Sequence, residues 1–416
     1  MSQIQVMNFL NEIANKNPSA VSFASGRPLA KYLDHTDWGL YEEKFTAWYS
    51  EKYQLTAQQA KNRMYHYGPS AGIICELLEQ FLVKHEGIQQ GNAGQITVTN
   101  GCQEALLLIS IHELKEPSDC ALAIDPCYVG YSGMLSCIGK KVFPIDINDL
   151  TGGNIQSGEL YIEALISKVE ELKQQQLTPK IIYVNPGFNN PLGYQFSQGQ
   201  RAKLLKCCQE LNIKIVEDDP YSDFVYDGTK EASIKSMDTE NSVYYIGSFS
   251  KTFCPGVRIG FVLAPDESTS QDLSTIKSLT SVNTNSLSQM IIGGWLIDQE
   301  FSLNDWMDPI NKSYRAQRNA MCSSLDTNMG EIEGINWDKP SGGFFFSLKL
   351  PFDFQDKHVL EMTSTQHVIC MPVSYFSLAP ERWSQHIRLA FSYYEPDVIY
   401  QGVSRLSAYI KQQIPG

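Results

Sequence analysis

The stretch Tyr245-Ile246-Gly247-Ser248-Phe249-Ser250-Lys251-Thr252-Phe253-Cys254-Pro255-Gly256-Val257-Arg258-Ile259-Gly260 decides how the rest of the chain reads. It sets one lysine in a turn between two apolar runs, Val243 to Ile246 and Ile259 to Leu263. A lysine taken alone is usually a surface residue, but this one has a setting. The hydroxyls of Ser248 and Ser250 precede it and Arg258 follows. A lysine so placed can form an imine if its neighbours hold an anionic, aldehyde-bearing ligand. The hydroxyls and the arginine are donors suited to phosphate, the arginine in a bidentate fork.

Outward from that turn, residues from about 45 to 295 alternate short β-branched runs with helical segments. This is the pattern of a mostly parallel sheet covered on both faces. Strands are predicted at Gln95–Thr99, Cys120–Ile124, Lys180–Val184, Lys214–Val216, Val243–Ile246 and Ile259–Leu263, with helices at Gln103–His112, Tyr161–Gln175 and Gln198–Leu211. After Ser288 the character changes. A buried helix is predicted at Ser288–Ile297 and a long amphipathic one at Asn304–Leu325. A compact α+β region through Phe344–Leu348 and Ile387–Phe391 follows, then a closing helix at Pro396–Gln413.

Composition narrows the function classes. The 416 residues hold 33 Lys and Arg against 46 Asp and Glu, a net charge of −13, with no basic run. Binding a nucleic-acid backbone needs a basic surface, so no nucleic-acid partner is expected. The N-terminus has no basic-then-apolar leader pattern and no stretch approaches eighteen apolar residues, so the expectation is a soluble, cytoplasmic protein without membrane contact. The ten cysteines include only one adjacent pair and no C-x-x-C, and the seven histidines never fall at ligand spacing on a helix. Reduced core cysteines and no structural metal are therefore expected. A P-loop lookalike at Gly133–Lys140 fails on spacing, Gly130-Tyr131-Ser132-Gly133 lacks the second spacer of a hydrolase elbow, and no G-x-G-x-x-G opens a helix.

Four further segments carry chemistry. Thr99-Asn100-Gly101-Cys102-Gln103-Glu104-Ala105 follows a strand and opens a helix, whose free N–H groups and partial positive charge favour phosphate. Alone it reads as a capped helix, but with Ser248, Ser250 and Arg258 it makes a phosphate cup. Glu217-Asp218-Asp219-Pro220-Tyr221 follows the apolar strand Lys214–Val216, and acids at the carboxyl end of a parallel strand sit where α/β sheets bind ligands. The competing reading is a solvated helix start. Tyr183-Val184-Asn185-Pro186-Gly187-Phe188-Asn189-Asn190-Pro191-Leu192-Gly193 is by itself a turn signal. Arg388 lies inside the apolar run Ile387–Phe391, and a buried guanidinium has to meet an anion, either a ligand or a core acid.

Taken together and in this order, from about residue 20 to 410, these segments resemble the class I/II aminotransferases, pyridoxal-phosphate (PLP) enzymes of fold type I. The run S-x-S-K-T-x-x-P-G-x-R-x-G matches the cofactor-lysine segment, and the branch resembled includes aminoadipate, kynurenine and aromatic transaminases. The resemblance implies an α/β fold: a three-layer α/β/α large domain with a mostly parallel mixed sheet at 45–295, and a smaller α+β domain at 296–416 joined by the arm 1–44. It implies that Lys251 carries the cofactor as a Schiff base and moves the substrate proton. Asp218 would face the pyridine nitrogen, Tyr221 and Asn190 the 3′ oxygen, and Tyr128 the ring face. Gly101, Cys102, Gln103, Ser248, Ser250 and Arg258 would hold the phosphate, although Cys102 stands where a hydroxyl is usual.

Tyr67, in Tyr65-His66-Tyr67-Gly68, resembles the tyrosine that reaches the phosphate of the second subunit, which implies a homodimer with shared sites. Arg388 resembles the arginine that grips the substrate α-carboxylate. Ser22-Phe23-Ala24-Ser25-Gly26-Arg27-Pro28 resembles the segment that folds over the substrate. Arg27 stands there in place of an apolar residue and is expected to read a polar or acidic side chain. Met371-Pro372-Val373 also departs from the family's usual P-G. The implied reaction moves an amino group from an L-amino acid to a 2-oxo acid in two ping-pong half-reactions. A PLP-dependent lyase, cyclase, racemase or oxidase on the same scaffold stays open, since fold does not choose between them. A regulator with an aminotransferase-like sensor is disfavoured by the acidic charge and by motifs that begin near residue 22.

Overall fold

The computed structural model describes residues 3–29, 31, 36–89, 91–146 and 158–414. The chain opens with helix α1 (Gln3–Lys16), a two-residue strand β1 (Val21–Ser22) and three helices, α2 (Trp38–Tyr53), α3 (Ala57–Met64) and α4 (Cys75–Lys84). Strands and helices then alternate: β2 (Ile96–Thr99), α5 (Cys102–Glu113), β3 (Asp119–Asp125), α6 (Val129–Cys137), β4 (Lys141–Asp146), α7 (Gly158–Gln174), β5 (Thr178–Val184), α8 (Gln198–Leu211), β6 (Lys214–Asp218), β7 (Val243–Ser248) and β8 (Gly260–Leu263). These strands form one seven-stranded sheet in the order β2-β8-β7-β6-β5-β3-β4. Pairing is parallel from β7 across to β4, while β8 runs antiparallel to both its neighbours.

Strand alternation builds the layers. Leu122, Ile124, Ile182, Val184 and Ile215 face one way, onto Leu165 and Val169 of α7 and Leu204 and Cys208 of α8. Ala121, Ala123, Ile181, Val216 and Ile246 face the other way, onto Leu106 and Ile109 of α5 and Leu135 of α6. Because both faces are covered, every residue of β3 is buried and the strand reads as a nearly unbroken apolar run. All six strands predicted for this sheet are present, most of them a residue or two longer. The seventh, β4, was not foreseen. It pairs with β3 alone, and its Pro144 breaks the run that sequence patterning looks for, which an edge strand tolerates.

Helices α9 (Glu267–Thr280), α10 (Ser286–Asp298) and α11 (Asn304–Met329) lead out of the sheet. Next come β9 (Asn336–Trp337), β10 (Phe345–Lys349), α12 (Asp356–Gln366), β11 (Val368–Ile369), β12 (Met371–Pro372), β13 (His386–Ala390) and α13 (Pro396–Gln413). Four of these strands form an antiparallel sheet, β12-β13-β10-β9. The amino-terminal segment joins this part of the chain: β1 pairs with β11, the Phe23 N–H donates to Ile369, and the Ala390 N–H donates to Phe23. That pairing carries residues 24–27 to the carboxyl ends of the large sheet's strands.

Candidate active site

The carboxyl ends of β3, β5, β6 and β7, the start of α5, the 24–27 segment and β13 enclose a cavity of about 310 Å³. The lysine turn leaves β7 after Ser248, opposite Gly260 of β8. Phe249 and Phe253 anchor it by packing on Trp295, with ring centroids 5.7 and 4.9 Å away. Lys251, between them, is left to point into the cavity, where its Nζ donates to the Gly26 carbonyl at 2.8 Å. Burial lowers its pKa to about 8. The nearby charges of Arg258, Arg388 and Arg27 add to that effect. Roughly a tenth of the amines are therefore neutral at pH 7, far more than for an ordinary lysine.

The acidic tract is buried rather than solvated, and its three members part ways. Glu217 accepts from the N–H groups of Ile234 and Lys235 at 2.8 and 2.9 Å, with Arg201 at 3.7 Å. Asp219 lies behind the cavity wall, pushed up to about 6 by burial and by the Glu86 charge. Only Asp218 lines the cavity. Its Oδ2 accepts from the Tyr183 hydroxyl at 2.8 Å, and its carbonyl accepts from Asn185 Nδ2 at 2.6 Å. Burial raises it to about 6, with Tyr183 and the Cys102 thiol pulling it back. Oδ1 makes no hydrogen bond of standard geometry.

Opposite charge gathers at the anion cup. Gly101 precedes the first residue of α5 at φ +80, a conformation that favours glycine, and a Cβ there would stand 2.7 Å from Arg258 Nη2 and push the guanidinium aside. Arg258 Nη2 donates to the Asn100 carbonyl at 3.1 Å, and Gln103 Nε2 to the Gly130 carbonyl at 2.8 Å. Ser248, Ser250, Cys102, Gln103 and Arg258 line the cavity here, and Tyr128 lines it nearby.

Arg388 on β13 is the second cationic feature. It is 4 % exposed and lies between Phe345 and Phe376, 4.7 and 4.3 Å from their ring centroids. Nη1 donates to Asn190 Oδ1 at 2.6 Å and Nη2 donates to the Ala24 carbonyl, while Nε has no partner. The alternative reading, an ion pair with a core acid, is overturned: these acceptors are neutral, and burial lowers the pKa to about 10. Since Arg388 takes up the Asn190 oxygen, the Asn190 NH₂ is left as a donor. Tyr221 lines the cavity too, its phenol pushed well up by burial.

Of the residues singled out from sequence, the cavity brings together Lys251, Asp218, Tyr221, Cys102, Gln103, Tyr128, Asn190, Ser248, Ser250, Arg258, Gly26, Arg27 and Arg388. Gly101 contributes from behind Arg258, and Tyr67 does not line this cavity; it is 88 % exposed. Sequence reasoning missed Tyr183, Asn185, Phe345 and Phe376. The first two had a signal. Tyr183 pairs with Val216, so strand parity puts Tyr183 and Asn185 on the face of Asp218.

Helix spacing also hid a group of potential metal ligands, His85, Glu86 and Asp223, whose ligand atoms lie within 4.8 Å of one another. Lys230 Nζ already stands 2.7 Å from both carboxylates, and the Leu303 N–H donates to His85 Nδ1.

The cavity suits a phosphorylated pyridine aldehyde. A buried carboxylate oxygen without a hydrogen bond of standard geometry suits a ring N–H, a partly neutral amine suits the aldehyde, and a cup of Ser248, Ser250 and Arg258 at the start of α5 suits the phosphate. The unpartnered Arg388 Nε awaits a carboxylate.

Comparison with known proteins agrees. Residues 38–406 match the family model for aminotransferase class I and II. The (S)-3,5-dihydroxyphenylglycine transaminase of Amycolatopsis orientalis is 29% identical over 99% of this chain and 92% of its own length. Aromatic-amino-acid aminotransferase 1 of Thermococcus litoralis is 30% identical over 77% of this chain and 73% of its own. The kynurenine aminotransferase of Pyrococcus horikoshii, solved with PMP, superposes with a TM-score of 0.83 at 28% identity, covering 99% of this chain and 95% of that one. The chain therefore belongs to the class I and II aminotransferases, enzymes that use pyridoxal phosphate to move an amino group from an amino acid to a 2-oxo acid.

Proposed function

We propose that this cavity performs both half-reactions, with Lys251 as the amine that takes the cofactor aldehyde and then handles the substrate proton. The observation that carries this is the gathering of Lys251, Asp218, Arg258 and Arg388 on one cavity, with no carboxylate among the described residues paired to Arg388. When bound, pyridoxal phosphate supplies an electron sink for the charge left at the substrate Cα. Asp218 would hold a proton on the cofactor's ring nitrogen, since no protein cation is paired with this carboxylate among the described residues. Tyr221 and the Asn190 NH₂ would donate to its 3′ oxygen, and Tyr128 would cover its ring. Arg388 holds the α-carboxylate in a guanidinium already stripped of water by Phe345 and Phe376. Lys251, as the neutral amine, would take the proton from the substrate Cα and deliver it to the cofactor carbon on the far side of the nitrogen.

The substrate is read as an L-amino acid with an aromatic or acidic side chain. Support comes from the aromatic walls at Phe345 and Phe376 and from Arg27, an exposed cation at the cavity. Tyr67 is assigned to the site of a second copy, because it stands outside its own cavity. The arm 1–44 is grouped with the small domain 296–416, as the β1–β11 pairing supports, and 45–295 forms the large domain. No helix among the described residues is long and apolar enough to cross a membrane. The ten cysteines are all free, which supports a reducing, cytoplasmic setting.

Purified protein titrated with pyridoxal phosphate should turn yellow, and borohydride followed by peptide mapping should find the label on Lys251. A colourless product, or a label elsewhere, would overturn the assignment. A panel of amino acids, scored by loss of that colour in a single turnover, then ranks donors for the wild type and Arg27→Ala. Stoichiometric keto acid without ammonia is the expected product. Ammonia would select the lyase alternative, and an unchanged ranking would remove Arg27 from specificity.

A further inference from the structure

Behind the anion cup lies a polar network that does not line the cavity. Glu104, in the first turn of α5, takes three hydrogen bonds: Oε2 accepts from the Asn100 N–H at 2.7 Å and Asn100 Nδ2 at 3.1 Å, and Oε1 accepts from the Ser281 hydroxyl. The Asn100 peptide is thereby fixed at both ends, its N–H to Glu104 and its carbonyl to Arg258 Nη2. The Ser281 side of the network is equally fixed. Val282 sits at φ 67, a conformation a β-branched residue rarely adopts, and several contacts hold it there. Its N–H donates to the Lys277 carbonyl at 3.0 Å, and its own carbonyl accepts from the Ser70 hydroxyl at 2.8 Å. The ammonium of Lys277, 0 % exposed, donates to Thr284 Oγ1 at 2.6 Å, to the Ser70 carbonyl at 3.0 Å and to the Val98 carbonyl.

We infer that Glu104 is a positioning residue for the phosphate cup: it orients Asn100, and through Asn100 the Arg258 guanidinium, against the rigid 281–284 turn. The inference rests on the cofactor assignment made above and deepens it. A carboxylate at a helix N-terminus is favoured by the helix dipole, yet close to a phosphate it opposes the ligand's charge. Its use here is therefore geometric, as an acceptor with two oxygens facing two ways. Glutamine satisfies the same demand: the amide oxygen can accept from Asn100 and the NH₂ can donate to Ser281 Oγ. Alanine satisfies neither.

The test is equilibrium titration of cofactor-stripped protein with pyridoxal phosphate and, in parallel, with unphosphorylated pyridoxal. Loss of hydrogen bonds to a charged group should weaken pyridoxal phosphate binding about 10- to 100-fold in Glu104→Ala, with pyridoxal binding changed less than about threefold. Glu104→Gln should stay within about threefold of the wild type for both ligands. Ser281→Ala, which leaves α5 whole, should weaken pyridoxal phosphate alone by several-fold. The inference falls if Glu104→Ala binds both ligands like the wild type, if it weakens both alike, or if Glu104→Gln is as weak as alanine. Should Glu104→Ala not fold, Ser281→Ala decides, and an unchanged preference for the phosphorylated ligand overturns the inference. Wild-type protein that ignores pyridoxal phosphate would instead sink the cofactor assignment itself.

Discussion

Asp218→Asn should make the cofactor-free protein more stable while removing its function. Asp218 is 3 % exposed and burial lifts its pKa from 3.8 to about 6. Below pH 3.8 the group is protonated in folded and unfolded chains alike, and nothing is lost. As pH rises to about 6 the unfolded chain ionises while the folded chain holds its proton, so stability falls. Above that, the full cost of roughly 3 kcal/mol is in force. Asparagine carries no such cost, and its amide oxygen can still accept from Tyr183, 2.8 Å away in the wild type. Urea unfolding of cofactor-stripped protein should therefore show the variant ahead by about 3 kcal/mol at pH 7.5 but only about 1 kcal/mol at pH 4.5. Added pyridoxal phosphate should reverse the order, since only the wild type gains a cationic partner for its carboxylate. A variant no more stable at pH 7.5, or one with the same gain at both pH values, would refute the reasoning.

Lys251 titrates with its pKa lowered to about 8, so its neutral fraction rises about tenfold per pH unit below that value and then levels. The rate of cofactor capture in stopped flow should follow that curve; a rate still climbing toward pH 10 would mean an ordinary lysine. Arg388→Met leaves no acid unpaired, because its present partners are neutral, so the fold should hold. Losing one partner of a buried ion pair costs about 3–5 kcal/mol, so kcat/KM should drop roughly 10²- to 10⁴-fold; a change below threefold would remove its carboxylate role. Tyr67→Phe and Lys251→Ala proteins, each weak alone, should regain activity on mixing if the site is shared between subunits, because one combined site is then intact. No recovery after confirmed subunit exchange would place Tyr67 in the site of its own subunit, and a fully active Tyr67→Phe protein would place it outside the chemistry.

The legible parts of this chain were those in which local pattern and chemistry coincide. Lys251, Ser248, Ser250 and Arg258 share one short turn, so a single reading of that turn found both the amine and most of the anion cup. The helices Gln198–Leu211 and Pro396–Gln413 lie where their spacing predicted them, because each has an uninterrupted pattern and a clear boundary residue. What escaped depended on the third dimension. Strand β4 is stabilised by one neighbour rather than by its own apolar run. Phe345 lies in an apolar run and Phe376 in no motif, and only the fold of the small domain makes them the two faces of a slot for Arg388.

The acidic tract shows the division most sharply. Glu217, Asp218 and Asp219 are chemically near-equivalent in sequence, and all three are buried and raised in pKa. Strand alternation makes them unequal. Glu217 and Asp219 point away from the face that Asp218 shares with Tyr183, and each finds polar company there: backbone N–H groups and Arg201 for Glu217, and the Lys230 charge for Asp219. Asp218 and Asp219 each keep an Oδ1 without a hydrogen bond of standard geometry, but of the three acids only Asp218 lines the cavity. A buried carboxylate in that condition is costly to the free protein, and it becomes favourable once a cationic ring nitrogen arrives. The same holds for Arg388 Nε, so the cavity is unsatisfied at two points of opposite sign. A ligand pair that brings a protonated ring to one and a carboxylate to the other satisfies both, which is the physical reason the cofactor and the amino acid belong in one site.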